Sequence, residues 1–456
     1  MSLDNPSRTK PVASDEPVRL SAIIDERPLG RFHLLVLMLC GFVMFLDGFD
    51  TQAISFAAPV LAREWGLTPA QLGPLLSSAI FGLMVGYLLL SPLATRFGHR
   101  RVIILTTAVF GALTLLCSVA PGPTELLVLR FLTGMGLGAA IPSVVALTSE
   151  FAPRRRRSSF VMFIYCWLAL GFVAAGLVSG FVIPMFGWRA MFVVGGALPL
   201  VLAIALLRFL PESPRHLLAK SVDQQRLRAT LRRLDPTLSP TLVVAPDPDD
   251  GSQTQKAIGL VVELLRRRWI ASTLLLWVAF IANLAAFYSI QSWLPSIVGS
   301  LGQPQPVIIG ATILTTIGGI IAATVIGPSM DRISPFRTLG VVYLLGAVFV
   351  AILGTVLGGS TWILLVAAFL SGTCVTGGQM SIVAVASLIY PPRLRSTGVG
   401  WALGIGRVGG IVGPILVGVA LGAGVAPSVV FLVIGAVLVL AGVSVLLLGR
   451  HHRAAV

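Results

Sequence analysis

Apolar residues along the chain fall into twelve runs, each of about the 20 residues needed to cross a bilayer core, separated by polar punctuation. The runs are 32–58, 71–94, 102–120, 124–147, 160–184 and 188–209, then 270–296, 306–329, 338–358, 361–388, 397–422 and 427–449. They are about twice as long as a transmembrane strand and lack alternation, so helices are expected and a barrel is not. Their many glycines suit close helix packing in lipid. One long polar break, 210–269, divides the runs six and six. Within it, 220–234 has the pattern of a short basic amphipathic helix facing solvent or headgroups, and 236–253 reads as a tether. The expected fold is an all-α membrane protein: a tail over 1–31, a six-helix bundle over 32–209, the central loop over 210–269, a second bundle over 270–449 and a tail over 450–456. The first 30 residues hold no short apolar core with a small-residue cleavage site, so insertion is expected to rely on the spans themselves.

Composition narrows the class. Apolar residues make up 56% of the chain and charged residues 11%, against about 25% charged in soluble domains. So few charges cannot cover a water-facing surface, which excludes a soluble enzyme, a disordered chain and a nucleic-acid binder. The net charge of +15 is explained by placement. With both termini on one side, all but four of the 33 Lys and Arg fall on that side. Arg63 and Arg189 lie opposite, and Arg130 and Arg407 lie within spans. The positive-inside rule makes the terminal side cytoplasmic. Cys40, Cys117, Cys166 and Cys374 sit in apolar runs without CxxC spacing and are expected as buried free thiols. There is no metal-ligand spacing, no phosphate-binding loop and no His beside a nucleophile, so no catalysis, metal or cofactor is expected.

The two halves repeat one another. 130-RFLTGMGLGAAIPSVVALTSEFAPRRRRSS aligns with 368-AFLSGTCVTGGQMSIVAVASLIYPPRLRST at an offset of 238, and Pro153 meets Pro391, Arg157 meets Arg395, Ser158 meets Ser396. A second pair, 91-SPLATRFGHRR and 327-GPSMDRISPFR, follows the second run of each half. Parallel six-helix repeats are a transporter design, with the substrate bound at the midplane between rocking halves.

Twelve spans in two halves, basic loops after spans 2 and 8, and Arg130-x3-Gly134-x3-Gly138 in span 4 resemble the major facilitator superfamily. More narrowly, 46-LDGFDTQAISFAAPVL, 211-PESPR, 276-LWVAFIANLAAFYSIQSWLP and 395-RSTGVGWALGIGRVGGIVGP resemble the bacterial aromatic acid:proton symporter family, whose members carry 4-hydroxybenzoate, protocatechuate, benzoate or gentisate. The resemblance implies the major facilitator fold, a bacterial cytoplasmic membrane and proton-coupled uptake. In that family the loop after span 2 reads Gly-x-Leu-Ala-Asp-Arg-x-Gly-Arg, and its Asp ties the cytoplasmic ends of the halves together. Here Ser91, Thr95 and His99 replace the first Gly, the Asp and an Arg, and Thr95 cannot make that ion pair; the second copy keeps Asp331 and Arg332. Arg96, Arg100, Asp331 and Arg332 are gate candidates, with Glu150 expected to pair with Arg395 there. Arg154–Arg157 are expected to face headgroups and the gate.

Four ionisable groups fall deep within spans: Asp47, Asp50, Arg130 and Arg407. Each costs about 2.5–3.5 kcal/mol at a membrane helix centre, so each needs a partner or a wet cavity. Asp47 and Asp50, three apart, share a helix face. Two carboxylates so close resist joint ionisation, so one should keep a proton, as a proton carrier requires. At about 1.5 Å per residue, Asp50 lies roughly 12 Å from the outer end of its span and Arg130 roughly 10 Å into its own, so the two can meet. Arg407 lies roughly 15 Å from the cytoplasmic end of its span, among Gly404, Gly406, Gly409 and Gly410. Small neighbours admit a ligand to the guanidinium, whose fork suits a carboxylate.

Asn283, Phe287 and Gln291 form an every-fourth-residue stripe that either binds an aromatic ring or makes a polar helix seam. Tyr165, Trp167, Tyr288, Trp401 and Gln379 are further substrate candidates, whereas Trp188 and Trp293, near span ends, are expected as interface anchors. All five histidines lie at or beyond span ends, which excludes a histidine relay at the midplane. The reading is a monomeric secondary transporter whose partners are protons, a small aromatic carboxylate and membrane lipid, with no nucleic acid. Two alternative readings remain. One is a proton-coupled exporter, whose span-5 Gly-Pro-x3-Gly-Gly segment is missing from WLALGFVAAGLVSGFVIP; the other is a non-transporting sensor of the same acids.

Overall fold

Every apolar run forms a helix. In chain order these are α1 (Arg31–Trp65), α2 (Pro69–Leu89), α3 (His99–Cys117), α4 (Pro123–Phe151), α5 (Arg157–Phe186) and α6 (Trp188–Phe209). The second half holds α7 (Ile270–Ser300), α8 (Gln305–Arg332), α9 (Pro335–Val356), α10 (Thr361–Ile389), α11 (Pro392–Gly422) and α12 (Pro427–Ala455). The computed structural model describes residues 18–25, 30–90, 93–219, 224–234, 244–245, 262–266 and 268–455. All twelve helices are long and apolar enough to span a membrane. Large apolar side chains such as Phe181, Leu88 and Ile204 cover their outer faces, a surface that only lipid solvates without cost.

Element ends follow local chemistry. α1 runs past its apolar stretch, through Pro59 to Trp65, and stops at Gly66, whose φ of 62° is left-handed. Thr68 then caps α2, accepting from the Gln71 amide while the Gln71 side chain accepts from the Thr68 amide. That reciprocal box allows a turn of three residues between antiparallel helices. α11 starts at Pro392, earlier than the apolar run, because proline suits the first helical turn.

The helices pair the same way in each half, through glycines. Gly134 of α4 lies against the Ala79 carbonyl of α2, and Gly372 of α10 lies against the Thr315 carbonyl of α8. Gly171 of α5 lies against the Phe45 carbonyl of α1, and Gly409 of α11 against the Ile281 carbonyl of α7. Both glycine pairs sit 238 residues apart in sequence, the offset of the sequence repeat, and both carbonyl pairs 236 apart. A Cβ at any of these glycines would overlap the facing carbonyl oxygen, so the seam needs the hydrogen. Gly134→Val is accordingly expected to abolish a monodisperse peak on size-exclusion chromatography in detergent; a normal peak would mean that the α2–α4 seam tolerates separation.

The halves meet at the ends away from the chain termini. Gly73 of α2 packs on Pro414 and Ile415 of α11, and Gly418 and Gly422 pack on Pro69 and Ala70. Gly176 and Gly180 of α5 receive Ile313 and Ile309 of α8. The Ser77 hydroxyl donates to the Ile411 carbonyl across the same boundary. The far side is therefore sealed.

On the terminal side the expected basic helix is present over Gln224–Leu234. Its Leu227 and Leu231 pack with Leu20, Ile23 and Ile24 of a short helix, Leu20–Asp25, and with Leu217 and Leu218. The strand Val18–Arg19 pairs in parallel with Val244–Ala245. The rest of the expected tether lies outside the described residues. Two expectations are corrected here. Cys166 is exposed on α5 and is not buried with the other three thiols. Trp188 and Trp293 are not interface anchors: both are buried, with indole N–H groups donating to Glu64 (2.6 Å) and to the Pro414 carbonyl (2.9 Å). A carboxylate and a backbone carbonyl lie within reach, so these rings bury fully and satisfy their one donor inside.

Candidate functional site

The α1 motif carrying Asp47 and Asp50 faces the interior, and both carboxylates are buried. Arg130 of α4, itself fully buried, donates from Nη1 to Asp50 Oδ2 at 2.6 Å and from Nη2 to the Asp50 carbonyl at 3.1 Å. Thr114 of α3 donates to the other carboxylate oxygen at 3.2 Å. The two side chains do meet at one depth, as helix rise implies. Asp50 thus has a charged donor and a neutral one, and the Arg130 guanidinium also lies over the Phe192 ring at 5.8 Å. The pair and its Thr114 bond link three helices, although the buried Arg130 Nε has no partner.

Asp47 is placed differently. Its Oδ1 has no hydrogen-bond partner although it is buried. Within electrostatic reach are Arg407 from the opposite half, then Asp50 and Arg130. Arg407, half-buried on α11, receives no carboxylate bond among the described residues: Nη1 donates to the Tyr288 hydroxyl at 2.9 Å, and the guanidinium lies over the Tyr87 ring at 5.6 Å. Tyr165 is also within its electrostatic reach. Three of the chain's five tyrosines therefore surround one arginine. Tyr343 and Tyr390 donate elsewhere, to the Gly378 carbonyl and to Thr273. Tyr165 is exposed, and Tyr87, Tyr288, Gln379 and Arg407 are half-buried. The cluster is thus partly accessible to solvent.

The α7 stripe is buried throughout. Asn283 donates to Gln379 of α10 and leaves its own Oδ1 without a partner. Phe287 faces Phe172 of α5 across the halves, centroids 6.3 Å apart. Gln291 behaves as a seam: it donates to Thr316 (2.9 Å), accepts from Thr315 (3.1 Å), and its carbonyl takes a bond from Gln52 of α1 (3.1 Å). So Asn283 and Phe287 border the interior, while Gln291 ties α7 to α8 and α1.

Trp401 falls outside the cluster. Six residues from Arg407 is about 120° around the helix, and Trp401 shares the exposed face of α11 with Val408, Val412 and Leu416. It stacks on Trp277 (25°, centroids 6.3 Å). Trp167 likewise packs outward among Phe42, Phe45 and Phe163. Sequence reasoning missed Tyr87, Thr114, Gln52 and Thr315. For Tyr87 a signal exists: tyrosine is rare in this chain, and a hydroxyl midway along an apolar run needs a polar partner.

The gate candidates stay within their own halves. Arg100 donates to the Leu207 and Leu210 carbonyls at the end of α6, both at 2.6 Å. Its amide donates to Glu212 at 3.1 Å. Glu150 accepts from Ser213 and lies 3.8 Å from His99. The expected Glu150–Arg395 pair is not formed among the described residues; Arg395 is exposed, as are Arg96, Asp331 and Arg332. The Thr95 side chain lies outside the described residues.

A family model described as Major Facilitator Superfamily matches residues 40–353 and 310–455. The chain is 38% identical over 399 residues to the 4-hydroxybenzoate transporter PcaK of Pseudomonas putida, covering 86% of this chain and 87% of that one. It is 34% identical over 422 residues to the gallate transporter of Pseudomonas putida, covering 92% and 93%. A bacterial homologue of the human lysosomal transporter Spinster, solved inward-facing and unoccupied, shares the fold with a TM-score of 0.70 at 16% identity, covering 94% of this chain and 99% of that one.

Proposed function

The chain belongs to the Major Facilitator Superfamily, and from that premise we propose that it imports a small aromatic carboxylate together with a proton. It is a multi-pass membrane transporter, and its relatives are transporters rather than enzymes. The observation that carries the finer reading is Arg407: a cation without a carboxylate bond among the described residues, ringed by Tyr87, Tyr165 and Tyr288, within reach of Asp47 on the other half, whose Oδ1 has no hydrogen-bond partner. A carboxylate with an aromatic ring fits such a site, with charge on the fork and ring among tyrosines and Phe287.

Coupling follows from competition for Arg407. While Asp47 is ionised, it draws on the guanidinium. When Asp47 takes a proton on the outer side, Arg407 is free for the substrate carboxylate, and the loaded centre carries no added charge. After the halves rock, the proton leaves Asp47 to the cytoplasm, the restored carboxylate competes for Arg407, and the substrate departs. Each ligand shifts the rocking equilibrium only by its differential affinity for the two faces. Asp50, already held by Arg130 and Thr114, positions α1 and is the poorer proton carrier. The protein works as a monomer in the bacterial cytoplasmic membrane, with both termini inside by the positive-inside rule.

One proton per monoanion moves no net charge. Uptake of 4-hydroxybenzoate into proteoliposomes is therefore expected to follow an imposed pH gradient and to ignore a potassium–valinomycin potential. If two protons moved, potential would contribute about 2.3 kcal/mol per 100 mV. Strong accumulation driven by inside-negative potential alone would overturn the one-proton scheme, and no uptake of any aromatic acid would overturn the assignment.

A further inference from the structure

Above the seal lies a second cavity of about 900 Å³, open on the side away from the termini and walled by both halves. Phe56, Pro59 and Arg63 of α1 line it from one half; Trp293 and Ser296 of α7 and Gln305 of α8 line it from the other. Its volume is that of a small-molecule site. The sequence places two cations on this side. Arg189 is committed to Glu64 at 2.7 Å and stacks on Trp188. Arg63 donates only through Nε, to the Pro59 carbonyl at 3.2 Å, so its two terminal nitrogens have no protein partner among the described residues. Glu64 is taken up by Arg189 and Trp188, which leaves Arg63 without a carboxylate. The Trp293 ring is fixed by its bond to the Pro414 carbonyl, giving the cavity a rigid aromatic wall. The Ser296 hydroxyl has no partner. The floor is the α2–α11 contact, Gly73 and Pro69 against Pro414, Ile415 and Gly418.

We propose that this vestibule is an entry subsite for an aromatic carboxylate, with the carboxylate on the Arg63 guanidinium and the ring against Trp293, Phe56 and the prolines. The inference rests on the uptake reading above. A guanidinium at the mouth of an apolar vestibule concentrates anions there and repels cations, and the bidentate fork orients the acid with its ring inward. Because both halves form the walls, rocking changes the vestibule's width, so the ligand passes on as the seal opens.

The test uses purified full-length protein carrying Arg407→Ala, which disables the deeper site. In equilibrium dialysis at low ionic strength, labelled 4-hydroxybenzoate is expected to remain bound, 4-hydroxybenzamide to compete poorly, and added Arg63→Gln to remove the binding. In proteoliposomes of otherwise native protein, Arg63→Gln is expected to raise KM up to about fivefold, the upper end for an exposed ion pair, with Arg63→Lys close to wild type. The wild-type advantage should also shrink with added salt. No residual binding in the Arg407→Ala protein, or residual binding indifferent to Arg63, overturns the vestibule site, as does an unchanged KM. Protein that binds through Arg63 yet accumulates nothing would overturn the uptake reading and leave the subsite standing.

Discussion

Proteoliposomes carrying Asp47→Asn are expected to exchange labelled substrate across the membrane but not to accumulate it against a gradient. Asn is close to isosteric with a protonated Asp, so this variant mimics the loaded carrier permanently. Arg407 stays free for substrate, and nothing competes to drive release. Asp50→Asn should fail in another way. It removes the anion from Arg130, which has no exposure to water, and an uncompensated buried charge costs about 3–5 kcal/mol. A fall of several degrees in the detergent melting temperature, together with lost transport, is the expected result. Full uphill uptake by Asp47→Asn would remove Asp47 from the proton path. An unchanged melting temperature in Asp50→Asn would show that the Asp50–Arg130 pair does not hold the bundle together.

Arg407→Lys is expected to weaken binding of the acid about tenfold or more. A charge-assisted hydrogen bond contributes about 1.5–3 kcal/mol, and lysine replaces a planar fork with a point charge. It also forfeits the bond to Tyr288 and the stacking on Tyr87. The neutral amide of the same acid should lose little affinity, because it offers no charge to the fork. Equal losses for acid and amide would make Arg407 an interhelical post rather than a ligand for the carboxylate.

Much of this architecture was legible because lipid imposes few solutions. Apolar runs of bilayer length must be helices, and all twelve are, with their ends shifted by a few residues, as at Gly66 after α1 and Pro392 before α11. The Asp50–Arg130 encounter was legible for the same reason: rise per residue fixes depth, and a buried charge must find a partner. What composition and spacing could not supply was direction around a helix when both faces are apolar. Trp401 and Tyr165 look alike in the sequence, yet one faces outward beside Val408 and the other faces Arg407. Nor could spacing separate Gln291, saturated by Thr315 and Thr316, from Asn283, which retains a free oxygen. The gate pairs were hidden by conformation, since a sequence expectation names contacts without saying in which state they form.

The glycine seams give a ruler for comparing the two halves atom for atom. Carried along α1 and α7 at the 236 offset of the facing carbonyls, Asp47 corresponds to Asn283 and Asp50 to Ala286. Carried along α4 and α10 at 238, Arg130 corresponds to Ala368, and along α5 and α11 Arg407 corresponds to Ala169. Ala286 and Ala368 are both buried, so the second copy lacks both members of the ion pair; loss of one alone would strand a buried charge. The two halves therefore share backbone contacts and differ in chemistry: one holds the buried acid Asp47, the other its uncharged amide counterpart Asn283 and the cation Arg407. A machine whose frame is twofold symmetric but whose charges are not has a built-in polarity, and on the proposed scheme proton and substrate would be handed between unlike partners rather than mirrored ones.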